Sequence, residues 1–126
     1  DAPALSMVYK LVELEGRGRY KRAPGKKTYP MAKQVHRRID ARGRFAGDLV
    51  ARADEPPPEG TEALLVPVVR GGRLVEPLPT LEAVRDRCRA QLAALPEEFK
   101  RLDSEAVYPV VYSDVLEADA ERIMNG

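Results

Sequence analysis

Three consecutive prolines, Pro56, Pro57 and Pro58, stand near the middle of this 126-residue chain. Proline locks φ and has no backbone N–H, so neither a helix nor a sheet ladder can run through the triplet. The stretch "ADEPPPEG" (53–60) reads as a stiff extended connector. The fold must be built from what lies on either side. Before the triplet, apolar residues alternate with polar ones between glycine turns. After it come short apolar runs and then, from residue 81, helical spacing. The pattern predicts an α+β fold: antiparallel β-hairpins making a partial sheet or open sandwich, followed by C-terminal helices. It reads as a single domain, mainly β over 1–79 and mainly α over 80–126.

The hairpins follow from period two and from turn residues. "MVYKLVELE" (7–15) meets Gly16 and Gly18, with "RYKRA" (19–23) as the return strand. "KQVHRRID" (33–40) and "RFAGDLVAR" (44–52) flank a short loop in which Gly43 occupies the position that calls for positive φ. In the first arm Val35, Arg37 and Ile39 share one face, with His36, Arg38 and Asp40 opposite. In the second arm Phe45, Leu49 and Ala51 share a face. "ALLVPVV" and "RLVEP" flank Gly71 and Gly72 as a third hairpin, and Pro67 confines its strand to an edge or a bulge.

Beyond residue 79 the period is helical. Thr80 is a suitable N-cap, with Glu82 in the first turn where the helix dipole favours an anion. Leu81, Val84, Cys88, Leu92 and Leu95 recur at offsets of 3, 4, 4 and 3. This predicts a core-facing stripe with Cys88 as a buried thiol. Pro96 stops the helix and opens a short one over "EEFKRL", "VYPVVY" reads as a last strand, and Ser113 caps "DVLEADAERIMN".

Composition narrows the function classes. No apolar run exceeds four residues, so no membrane helix is expected, and no signal peptide is visible at the N-terminus. A single cysteine excludes an internal disulfide and a cysteine-based zinc site. These features point to the cytoplasm. The single histidine, His36, cannot build a multi-histidine metal site, and it lies in a strand beside Arg37 and Arg38. No catalytic residue and no metal ligand is assigned. The pairs Asp54/Glu55 and Glu97/Glu98 read as solvated surface. No Walker loop or dinucleotide fingerprint is present.

Charge is the remaining signal. The net charge is +1, yet residues 1–52 carry 13 Lys/Arg against 5 Asp/Glu, and residues 53–126 carry 8 against 15. Cations are densest in "APGKKTYPMAKQVHRR" (23–38), with Lys21 and Arg22 beside it. Gly25 followed by Lys26, Lys27 and Thr28 could offer backbone N–H groups, ammonium groups and a hydroxyl to a small phosphate. Tyr20, Tyr29 and Phe45 could stack bases of a nucleic acid. A solvated loop is the favoured reading from the residues alone, a small phosphate comes next, and nucleic acid is the least favoured. Lys26, Lys27, Thr28 and Lys33 are the candidates for phosphate contact or for docking.

The order of segments resembles the late region of the nicotinate phosphoribosyltransferases. That family carries "D-A-P-x-L-x-x-V-Y-K-L-V-E", matched by "DAPALSMVYKLVE", then a Lys/Arg stretch and "G-K-x-T-x-P-G-x-K-Q-V". "GRFAGDLVARADEP", "EPLPTLEAVRDRCRAQLAALPEEFKRL" and "YPVVYSDVLEA" follow the family's ending in order, so the resemblance spans essentially the whole chain. One departure falls on a turn: the family's glycine after "T-x-P" is Met31 here.

The resemblance implies an enzyme that joins nicotinate to phosphoribosyl pyrophosphate, giving nicotinate mononucleotide for NAD salvage. ATP hydrolysis drives the step through a phosphohistidine, with ATP and Mg implied for the full-length protein. It implies a phosphoribosyltransferase barrel, an open-faced sandwich domain and an active site at a dimer interface. The chain corresponds to the C-terminal domain, past the family's glycine-rich phosphate loop. It is therefore expected to lack the barrel and the catalytic histidine, to need no cofactor itself and to be inactive alone. His36 does not match the catalytic position. Its expected partners are the barrel and a second subunit. The alternative, from another class, is a stand-alone basic RNA- or phosphate-binding module.

Overall fold

The computed structural model describes residues 9–21, 25 and 28–125. It opens with a short ladder, β1 (Glu13–Leu14) against β2 (Arg17–Gly18). Glu15 and Gly16 close its turn at positive φ, 52° and 71°. This hairpin is shorter than the Val and Tyr content of 7–15 suggests, and residues 7, 8, 22 and 23 of the expected arms lie outside the described residues.

A four-stranded sheet forms the centre. β3 (Lys33–Ile39) pairs antiparallel with β4 (Phe45–Arg52) and, on its other edge, with β5 (Thr61–Ala63). The intervening 41–43 loop is held by Asp40, whose carboxylate accepts from the N–H groups of Arg42 and Arg44 at 2.9 and 2.8 Å. Gly43 takes the expected positive φ, 76°. Beyond β5, the β6 (Val69–Arg70) and β7 (Arg73–Leu74) ladder closes through Gly71 and Gly72, both at positive φ as a tight hairpin turn requires. α1 (Leu81–Ala94) and a 3₁₀ turn (Glu97–Phe99) lead to β8 (Val110–Tyr112), which pairs parallel with β4. The sheet order is β5-β3-β4-β8. α2 (Asp114–Asn125) ends the described chain. The architecture is α+β as expected, with one parallel pair that the hairpin pattern did not show.

The β3–β4 ladder contains a bulge. Arg38 faces Gly47 while Ile39 faces Phe45, so Ala46 is the extra residue. The bulge turns Phe45 onto the face of Arg37, whose guanidinium carbon sits 4.2 Å from the ring centroid, while Leu49 pairs with His36. Phe45 therefore does not share a face with Leu49 and Ala51. The period-two reading fails because one inserted residue inverts the alternation.

The core is small. Among the described residues the buried apolar side chains are Ala51, Leu116 and Ala120, joined by Pro30. Leu116 and Ala120 lie one turn apart and face inward from α2. The α2 start is capped as expected: the Leu116 N–H donates to Ser113 Oγ at 3.1 Å, and that hydroxyl donates to Glu55 at 2.7 Å. Thr80 Oγ1 likewise accepts from the Ala83 N–H at 3.2 Å, so the N-cap of α1 is correct.

The destination of its apolar stripe is not. α1 has no buried residue, Leu81 is 65% exposed, and Cys88 is an exposed thiol rather than a core one. Only Ala94 and Leu95, at its end, are half-buried. An amphipathic helix buries its stripe only where another surface lies opposite. Among the described residues the sheet lies opposite only across an open cavity, which Cys88, Leu92 and Leu95 border together with Arg37, Phe45 and Tyr108. Nor does "EEFKRL" form more than the single 3₁₀ turn. No described helix is long and apolar enough to cross a membrane.

Candidate functional site

Two clusters on the sheet carry the side-chain chemistry. The first surrounds the turn into β3. Met31 adopts φ 71°, the left-handed region that favours glycine, so the turn keeps the geometry the family's glycine would take. The Met31 N–H donates to Val12 O and the Ala32 N–H to the Glu13 carboxylate, both at 2.8 Å. Lys33 folds back over the same turn, its ammonium donating to the carbonyls of Tyr29 (2.7 Å) and Met31 (2.6 Å). Burial pushes the Lys33 pKa below the ordinary lysine value, against the pull of Glu13. Tyr29 stacks on Tyr112 with centroids 4.1 Å apart, which ties the turn to β8.

Of the residues singled out from sequence, Lys33 spends two of its three donors on this turn, and Thr28 is half-buried just before it. Lys26 and Lys27 lie outside the described residues. Arg52, at the far end of β4, bonds Asp54 and, at 2.6 Å, Asp119 of α2. Arg122 shares Asp119 at 2.7 Å, and these hydrogen bonds hold the Asp119 carboxyl below the usual carboxylate range.

The second cluster borders a cavity of about 320 Å³ lined by Arg37, Phe45, Asp48, Cys88, Gln91, Leu92, Leu95 and Tyr108. Arg37 clasps Asp48 through Nε and Nη2, each at 2.9 Å, and Tyr108 donates its hydroxyl to Asp48 Oδ1 at 3.1 Å. Burial works against the Asp48 carboxylate, yet the hydrogen bonds from Arg37 and Tyr108 outweigh it and lower its pKa. Burial and the same carboxylate push the Tyr108 phenol up. An arginine, a carboxylate and a phenol so engaged hold one another in place. None is left as a free acid or base, so the cluster braces the sheet.

His36 brings no chemistry with it. It is buried, its cross-strand neighbours are Leu49 and Ala63, and its Nδ1 has no hydrogen-bond partner among the described residues. Among those residues no group of three or more His, Cys, Asp or Glu could hold a metal ion. Sequence reasoning missed the Arg37–Asp48–Tyr108 cluster. Its one signal was an arginine and an aspartate on facing strands, which means something only once the register is known.

Comparison with known proteins accords with the fold. Residues 60–119 match the model of the nicotinate phosphoribosyltransferase C-terminal domain. The chain is 42% identical, over 98% of its length, to the nicotinate phosphoribosyltransferase pncB2 of Mycobacterium tuberculosis, and covers 26% of that protein. It is 34% identical, over 98% of its length, to the nicotinate phosphoribosyltransferase of Homo sapiens, covering 27% of it. The crystal structure of the human nicotinic acid phosphoribosyltransferase superposes on 93% of this chain with a TM-score of 0.81 at 30% identity, the match covering 26% of that chain. The chain thus spans about a quarter of the length of these relatives. Matched in sequence over nearly its whole length and in fold over 93% of it, the chain belongs to the family of nicotinate phosphoribosyltransferase C-terminal domains.

Proposed function

We propose that this chain serves as the non-catalytic C-terminal domain of an enzyme that joins nicotinate to phosphoribosyl pyrophosphate, giving nicotinate mononucleotide. The observation that carries the reading is the 42% identity to a nicotinate phosphoribosyltransferase across 98% of the chain. The structure supports a non-catalytic part, since its polar clusters are internally neutralised and His36 faces apolar neighbours. ATP and magnesium, which the family resemblance implies, would be handled by the rest of the enzyme, working as a two-subunit assembly in the cytoplasm. Lys26, Lys27, Thr28 and Lys33 would meet a substrate phosphate or help dock the domain.

The test is a chimera in which this chain replaces the matching quarter of the mycobacterial enzyme. Mass spectrometry should detect nicotinate mononucleotide made by the chimera and none made by the 126-residue chain alone. A chimera that folds but makes no product, or turnover by the chain by itself, defeats the reading.

A further inference from the structure

α1 faces the sheet across open space instead of packing on it. Cys88, Gln91, Leu92 and Leu95 fall at offsets of 3, 1 and 3, which is one face of a helix. That face borders a cavity of about 320 Å³. The opposite wall is Arg37 of β3, Phe45 and Asp48 of β4, and Tyr108 two residues before β8. A water molecule takes about 30 Å³, so the space is far larger than a hydration site needs. It falls at the lower end of the range of small-molecule sites, roughly 300–1,000 Å³. Phe45, Tyr108, Leu92 and Leu95 make its walls largely apolar and aromatic. Ligand sites share that character, with a few polar groups that fix the ligand's orientation.

The polar groups on the walls narrow the chemistry of an occupant. Arg37 spends Nε and Nη2 on Asp48, and among the described residues its Nη1 has no partner. The Gln91 side-chain amide, on the same cavity, also has none among them. A guanidinium only donates, whereas a carboxamide both donates and accepts. Charge is already balanced, because the Arg37 cation is matched by Asp48, which also accepts from Tyr108. A ligand carboxylate would stand beside Asp48 and a ligand cation beside Arg37, each without a counter-charge of its own. Burying an unmatched charge is costly. Arg37 also lies 4.2 Å from the centroid of the Phe45 ring, so this wall is fixed before any ligand arrives.

We propose that the cavity between α1 and the sheet is a binding site for a small, uncharged aromatic carboxamide. The ring of the ligand fills the space among Phe45, Leu92, Leu95 and Tyr108, where aromatic neighbours favour offset or edge contact. Its carbonyl accepts from Arg37 Nη1, and its N–H groups donate to the Gln91 carbonyl. Binding removes from water the part of the α1 stripe that the sheet leaves uncovered. The inference uses residues of this chain alone and goes beyond the proposed function without resting on it.

Benzamide is the probe, and Cys88, an exposed thiol on the cavity's border, is the reporter. A fragment of that size binds at about 1 mM. In the full-length protein, alkylation of Cys88 by N-ethylmaleimide, read by peptide mass spectrometry, should slow about tenfold at roughly 10 mM benzamide. Benzoate and benzamidine, its anionic and cationic counterparts, should leave the rate unchanged at the same concentration. Gln91→Leu should raise the benzamide concentration required by about fivefold. Leu92→Trp, made at a side chain 54% exposed, should fill the cavity and abolish the benzamide effect. No slowing by benzamide overturns the inference without any variant having to fold. Equal slowing by benzoate or benzamidine overturns the uncharged class, and an unchanged requirement in Gln91→Leu overturns the carboxamide. If Cys88 of the ligand-free protein already reacts about tenfold slower than glutathione, the space is closed by protein and the site does not exist. Protection that survives in Leu92→Trp places benzamide elsewhere and is equally fatal.

Discussion

Asp48 accepts two hydrogen bonds from Arg37 and one from Tyr108 while its side chain is only 11% exposed. Asp48→Asn should therefore cost about 2 kcal/mol by urea unfolding at neutral pH, the range for hydrogen bonds to a charged partner. The folded pKa of Asp48 is lowered, so its contribution is complete above the unfolded value, near 3.9, and is lost as pH falls through the folded one. The gap between parent and variant should close below about pH 4; a gap that persists in acid would show that packing, not charge, is at stake. Met31 makes the opposite case. At φ 71° a residue with a Cβ is strained by about 1–2 kcal/mol. Met31→Gly should be at least as stable as the parent, and Met31→Val less stable by about 1 kcal/mol. A clearly destabilised Met31→Gly would mean that the Met31 thioether, 3.0 Å from a Cβ built at Gly18, contributes more packing than the strain costs. The departure from the family's glycine was visible in sequence. That the backbone ignored it was not.

Among the elements, β4 depends most on one residue. Gly47 holds φ 126° inside the bulge, and a Cβ there would meet Pro109 O at 3.0 Å and Pro109 Cβ at 3.1 Å. That carbonyl also accepts the Asp48 N–H at 2.9 Å where β8 joins the sheet. Gly47→Ala should destabilise by about 2–4 kcal/mol, combining backbone strain with a displaced edge strand. Hydrogen exchange should show the loss first in the amide of Asp48 and in β8; an unfolding midpoint unchanged from the parent would contradict the bulge. Turns and caps were legible from the residues themselves: Gly43, the Gly71–Gly72 pair, Thr80 and Ser113 all act as their local chemistry requires. The bulge was not, because alternation continues in the letters "FAGDLVAR" while the pairing slips beneath it. The stripe of α1 was legible as a stripe, but its partner was not.

At the scale of the whole molecule, the charge is uneven along the chain and the apolar stripe of α1 stays exposed. The basic stretch can be tested there. In the full-length enzyme, Lys26→Ala/Lys27→Ala should weaken phosphoribosyl pyrophosphate or ATP binding by about 1–3 kcal/mol per charge-assisted hydrogen bond lost, if these lysines meet phosphate. If they dock the domain, thermal stability or subunit association should fall while the Michaelis constants hold. No change in either leaves a solvated loop. Lys33 is better placed for structure than for ligand, since the carbonyls of Tyr29 and Met31 already take its protons. The sequence by itself determined the class of fold, the turns, the caps and the family, because each rests on local backbone preference or on ordered blocks of residues. Only the tertiary structure decided that Phe45 turns toward Arg37, that β8 runs parallel to β4, and that Cys88 lies exposed. Register and burial depend on what stands opposite a residue, and along α1 no described residue comes close enough to bury a side chain.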